Sequence, residues 1–201
     1  MANSSLLRHV PTTVFLSICI LSSGCSGCSD SVPGVDDAQS YAQQLQEDIN
    51  DPEVEALETE ELEDLMPGSV AGMTQTDYQS NKTGAFGFKM STTTAEYEEG
   101  NKSIVISITD AGSMKAAVRA ANQWMDKDFE ETTSSGYSRT GDFFGYRGME
   151  KFNSGPYGTS AELSIFVADR FVVNGKGRNV TMDDVKGAVK DVKLRKLDRK
   201  G

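Results

Sequence analysis

The sequence predicts an α+β fold: an antiparallel sheet of about five to seven strands with two packed helices, preceded by an acidic helical arm. Three observations carry this. Short runs between turn residues place apolar side chains at every second position, the period of a half-buried strand. Two longer stretches place them three and four apart, the period of a helix. Charge also divides the chain: residues 26–81 hold 14 acidic and no basic groups, whereas residues 82–201 hold 16 acidic and 19 basic ones.

The N-terminal segment comes first. Arg8 is the only formal positive side-chain charge before an apolar run from Val14 to Leu21. That run is far short of the roughly 20 residues a spanning helix needs, and it suits the core of a signal peptide. It leads into Leu21-Ser22-Ser23-Gly24-Cys25, with Gly24 at −1, Ser23 at −2 and Cys25 at +1, and Leu21 one place further upstream than usual. This resembles the lipobox of bacterial lipoproteins. The resemblance implies removal of residues 1–24, acylation of Cys25, and a cell-envelope protein anchored by lipid, with the outer membrane as the expected destination. Two or three acyl chains, at about 0.8 kcal/mol per buried methylene, make release very slow.

His9 and Cys19 fall inside the segment to be removed, so the mature chain would keep Cys25 and Cys28 and no histidine. Serine–histidine and cysteine–histidine nucleophile pairs, imidazole proton shuttles and the usual zinc and haem ligand sets are then excluded. Cys25-Ser26-Gly27-Cys28 spells C-x-x-C, but in a Ser/Gly/Pro stretch rather than at a strand-to-helix junction, so it reads as a lipidated cysteine beside a spare thiol. No metal and no cofactor are expected.

Residues 25–35 read as a flexible tether and residues 36–66 as the acidic arm. Tyr41, Leu45 and Ile49 form one narrow helical stripe. Asp51-Pro52-Glu53 has the composition of a helix start, and Pro67-Gly68 ends the arm. With 13 acidic groups in residues 26–66 and few apolar ones, the arm is expected to be solvated, marginally helical and dispensable for folding. Residues 67–201 then form the α+β domain, long enough for one real core.

Within that domain, Val70–Tyr78 reads as a weak strand and Ala85–Met90 continues through Thr92 to Tyr97. Ile104, Ile106 and Ile108 alternate in the clearest strand of the chain. Asp110-Ala-Gly-Ser113 is expected to open a helix to about Asp126, with Met114, Ala117, Val118, Ala121 and Trp124 on one face. Tyr137–Thr140, Phe143–Phe152 and Ala161–Val173 supply a second set of strands. Thr181-Met-Asp-Asp184 approximates a capping box for a helix burying Val185, Val189 and Val192. Tyr97 precedes Ile104–Asp110 much as Tyr157 precedes Leu163–Asp169, which suggests a duplicated βββα unit. The order of elements is loosely similar to the small sandwich domains of other envelope lipoproteins, an analogy that carries no function.

The aromatic cluster Phe143, Phe144, Tyr146 and Tyr157, with Phe152 between, is the candidate binding surface for a sugar or peptide. Asn174-Gly-Lys-Gly-Arg-Asn179 lacks the ending of a phosphate-binding loop and reads as a hairpin or strand–helix loop. Asp126-Lys-Asp128 offers two acids without a third ligand. The basic C-terminal stretch does not argue for nucleic acid in an exported protein of this acidity. The functional expectation is therefore a lipid-anchored cell-envelope protein with a non-catalytic binding or structural domain, its partners the membrane and an envelope protein or glycan. The alternatives are an envelope hydrolase working with carboxylates alone and an assembly subunit docking through the acidic arm.

Overall fold

The computed structural model describes residues 55–85 and 88–201 together with Gln43. The expected signal peptide, Cys25, the tether and the arm as far as residue 54, apart from Gln43, lie outside the described residues. So do the side chains of Ala85, Phe88 and Trp124.

Nine antiparallel strands form a single sheet: β1 (Ser69–Val70), β2 (Met73–Ala85), β3 (Phe88–Glu99), β4 (Lys102–Asp110), β5 (Glu130–Thr133), β6 (Gly136–Phe143), β7 (Tyr146–Gly155), β8 (Gly158–Val167) and β9 (Phe171–Arg178). Their spatial order is β1-β2-β3-β4-β9-β8-β7-β6-β5, so two meanders meet where β4 pairs with β9. The helices are short: α1 (Thr59–Glu63), α2 (Lys115–Met125) after a 3-10 turn at Gly112–Met114, α3 (Met182–Asp191) and α4 (Leu194–Asp198).

This corrects the α+β expectation. The sheet dominates, it holds nine strands rather than five to seven, and no pair of long helices packs across it. The extra strands have a physical explanation. β5, and β2 beyond the expected Val70–Tyr78, are exposed, so neither needs alternating apolar residues, and polarity hid them from a hydrophobicity-based reading; the expected single strand Ala161–Val173 is divided by a turn at residues 168–170 into β8 and β9. The strand matching on which the expected duplication rested also fails. It equated β4 with β8, yet the two strands that lead into helices are β4 and β9. Its marker tyrosines are opposites: Tyr97 is fully buried, whereas Tyr157 stands in the β7–β8 turn almost wholly exposed.

One face of the sheet makes the core. Ile104, Ile106 and Ile108 of β4, Leu163, Ile165 and Val167 of β8, and Phe171 and Val173 of β9 are all fully buried there. α3 lies over β9, β8 and β4, α4 over β8, and α1 over β3 and β2. Gly175 and Gly177, expected in a loop, sit inside β9 beneath α3. A Cβ on Gly177 would come within 2.3 Å of Val180 and 2.6 Å of Val185, so the missing side chains let the helix settle close to the sheet. Thr181 caps α3 as expected, accepting from the Asp184 amide while Asp184 accepts from the Thr181 amide. The helix then stops at Asp191, because Val192 is extended and buried, and the chain turns into α4.

The expected boundary at Pro67 does not separate residues 55–66 from the body. Ala56, Leu62 and Leu65 are buried, and Leu62 and Leu65 belong to the main apolar cluster. Glu58 pairs with Lys82, Glu55 with Lys89 and Glu61 with Lys200. Beneath them the Asp110 carboxylate accepts four hydrogen bonds, each 2.8 Å long: from the Leu57 and Gly112 amides and from two nitrogens of Arg170. Arg170 also donates to the Glu55 and Lys200 carbonyls. Asp110, expected to open a helix, therefore closes β4 and gathers four separate stretches of chain. Gly112 beside it has φ +50°, and a Cβ there would lie 2.1 Å from the Lys89 carbonyl oxygen, so glycine alone fits.

Candidate functional site

In the wing of the sheet built from β5, β6 and β7, only β7 packs against a helix, α2, and the inner face is only partly filled. Alternation along β6 turns Tyr137, Arg139 and Phe143 to that face, opposite Phe152, Glu150 and Tyr146 of β7 in the antiparallel register. Phe143, Tyr146 and Phe152 pack against the edge of the core, half-buried. The result is a trough bounded on one side by the wing and on the other by α3 and α4.

Its floor is charged. Glu150 is fully buried, and Arg139 Nε donates to its Oε1 at 2.5 Å. Lys186 Nζ, reaching across from α3, stands 2.6 Å from Oε2 in an ionic contact. A buried carboxylate is tolerated only when its charge is met, and here two cations meet it. The hydrogen bond from Arg139 to Glu150 raises the guanidinium above its ordinary range. Each cation also lies over a ring: Arg139 is 5.0 Å from the Tyr137 centroid and Lys186 5.5 Å from that of Phe143. With a cation on each oxygen, Glu150 fixes Arg139, Lys186 and the rings they cover.

At one end of the trough Tyr137 and Phe152 stack, with centroids 5.9 Å apart and planes inclined by 28°. They open on a depression of about 440 Å³ whose polar rim is Lys102, Thr159, Asn179, Thr181 and Asp184. The amide and hydroxyl hydrogen bonds from Thr181 hold the Asp184 carboxyl below its usual range, so it is an acceptor at neutral pH. At the other end, Phe144 and Tyr146 separate two shallow depressions of about 700 and 690 Å³, lined by Arg147, Arg195 and Arg199 and by Lys190, Lys193 and Lys196. Burial raises the Tyr146 hydroxyl pKa, helped by Asp198 and opposed by Arg195.

The aromatic cluster expected from sequence is thus divided. Phe143, Phe144 and Tyr146 meet at the β6–β7 hairpin, where Phe144 takes a left-handed φ of 59° and is 40% exposed. Tyr157 is 99% exposed at the far end of β7, about 30 Å away by strand length, and takes no part in the trough. Asp128 binds Arg147 at 2.8 Å. Among the described residues no group of three or more His, Cys, Asp or Glu could hold a metal ion.

Sequence reasoning missed Tyr137, Arg139, Glu150 and Lys186 as members of one site. A signal was there: Glu150 shares strand parity with Tyr146, Gly148 and Phe152, so an inward carboxylate required cations from neighbouring elements.

Compared with known proteins, the chain matches no family model, and no curated protein is significantly similar to it.

Proposed function

We propose that this chain is a lipid-anchored cell-envelope protein whose body is a non-catalytic binding module, and that the trough is the surface on which it holds an envelope glycan. The anchor rests on Leu21–Cys25 and on the short apolar run before it. The binding reading rests on one observation above the rest: the stacked Tyr137–Phe152 pair facing a depression rimmed by hydroxyl, amide, carboxylate and ammonium groups. A sugar ring presents an apolar face edged by hydroxyls, and that combination complements rings flanked by polar groups. The absence of histidine after residue 9 and the neutralised Glu150 both favour binding over turnover.

Two measurements test the two halves. Metabolic labelling with a palmitate analogue should mark the wild-type chain and leave Cys25→Ser unlabelled; labelling that survives the substitution would overturn the anchor. Soluble peptidoglycan fragments titrated into isotopically labelled Cys25→Ser protein should shift resonances of Tyr137, Phe152 and Thr159. Shifts confined to other surfaces, or no shifts at millimolar ligand, would overturn the assignment of the trough.

A further inference from the structure

The two edges of the sheet are treated very differently. β5 is only four residues long, and it carries Glu130 and Glu131, a short charged strand of the kind that discourages pairing. β2 spans 13 residues, against the five or six typical of strands, and β1 covers only its first two, Met73 and Thr74. From Gln75 to Gly84 every residue is exposed, and none is proline. A bulge between Gln75 and Asp77 is the only interruption. The Gln75 amide is taken by the Gly68 carbonyl and the Tyr78 amide by the Asp77 carboxylate; beyond them the edge presents backbone donors and acceptors to whatever strand can reach it.

Charge defines what that strand must carry. On the outer face Asp77 is paired directly across from Glu96, with Glu98 beyond it. Like charges in register destabilise a sheet, and among the described residues no cation lies within ion-pair distance of either. On the inner face α1 runs beside the same edge. There a depression of about 270 Å³ is lined by Glu63, Met66, Gln75, Tyr78, Thr93 and Ala95. Met66, partly buried, and Tyr78, 55% exposed, offer an apolar wall, and the Glu63 carboxylate, which accepts from Ser80 at 2.6 Å, stands beside them. A lysine or arginine fits this pattern, its stem on the apolar wall and its head on the carboxylate.

We propose that the β2 edge receives an extended basic segment of a partner protein as a tenth strand, with one of its cationic side chains seated against Glu63. Main-chain pairing supplies affinity and the depression supplies selectivity, the division of labour seen wherever a peptide is added to a sheet edge. Self-pairing of two β2 edges is the competing outcome.

The test uses the full chain with Cys25→Ser and synthetic peptides of alternating lysine and valine. Amide hydrogen exchange should show protection gained along Gln75–Gly84. A peptide of the same charge with alternate backbone nitrogens methylated should bind at least tenfold more weakly, since it cannot form the ladder. Glu63→Gln should weaken the unmethylated peptide about tenfold, with Asn101→Gln in the β3–β4 turn as a neutral control. Equal binding of the methylated peptide would reduce the interaction to non-specific charge and overturn the proposal. So would an unchanged affinity for Glu63→Gln, the absence of binding, or β2 protection that rises with protein concentration alone, which would indicate self-association.

Discussion

Residues 55–66 could be held to the body by their charges or by their apolar side chains, and Leu62→Ala separates the two. Leu62 is fully buried between α1 and the sheet, in the same cluster as Leu65, Val70 and Met73. Removing three carbons from such a site loses transfer free energy and leaves a cavity, together about 2–5 kcal/mol. Against a total stability of about 5–15 kcal/mol that is a large fraction. The ion pairs of Glu55, Glu58 and Glu61 are exposed, hold flexible side chains in place at an entropic cost and weaken in salt, so they contribute little. Urea unfolding of the Cys25→Ser chain, followed by circular dichroism, should therefore show a midpoint falling sharply in Leu62→Ala with little change in slope. The triple variant Glu55→Gln, Glu58→Gln, Glu61→Gln should barely move. A loss below about 0.5 kcal/mol for Leu62→Ala, or a larger loss for the triple variant, would refute the packing argument and restore a charge-held arm.

Three further outcomes follow from named groups. Lys186→Ala should cost about 1–3 kcal/mol by urea unfolding, because Glu150 Oε2 is left buried without its cation; an unchanged midpoint would mean the contact is incidental. The Asp184 carboxyl is lowered in the folded chain, so its contribution is present above the unfolded carboxylate pKa, near pH 4, and is lost as pH falls through the lower folded value. The stability gap between wild type and Asp184→Asn should accordingly be under about 1 kcal/mol at neutral pH and shrink in acid, and a gap that widens in acid would contradict the capping geometry. Burial pushes the Tyr97 hydroxyl up to about 12, so its contribution is intact below pH 10 and is lost as pH rises through that folded value. Ultraviolet titration should show Tyr97→Phe losing the most alkaline phenolic step, and retention of that step would place it on another tyrosine.

The sequence was legible wherever one side of an element faces the core. Ile104, Ile106 and Ile108, the Leu163–Val167 alternation and the Thr181–Asp184 cap all occupy their expected environments, because burial on one face imposes a period that residues must obey. It was illegible where burial imposes nothing. The exposed strand β5, and β2 beyond Tyr78, carry no such period. Gly175 and Gly177 have the composition of a turn, yet serve close helix packing that only the tertiary fold reveals. The acidity of residues 55–66 concealed Leu62 and Leu65, since two anchors three residues apart are enough when the partner surface is ready-made. At the candidate site the hairpin aromatics were visible as a cluster. The Arg139–Glu150–Lys186 group was not, because its members come from three elements whose adjacency is a property of strand order.

The gathering of chain segments at Asp110 and Arg170 has a mechanical consequence. A pull applied along the backbone from the N-terminal side reaches the Glu55 carbonyl and the Leu57 amide first, and both are fastened to this one ion pair. The same guanidinium grips the Lys200 carbonyl, so the load passes at once to the C-terminal end and to the mouth of the β8–β9 loop. Release of residues 55–57 therefore takes away partners of the same ion pair that fastens the C-terminal end.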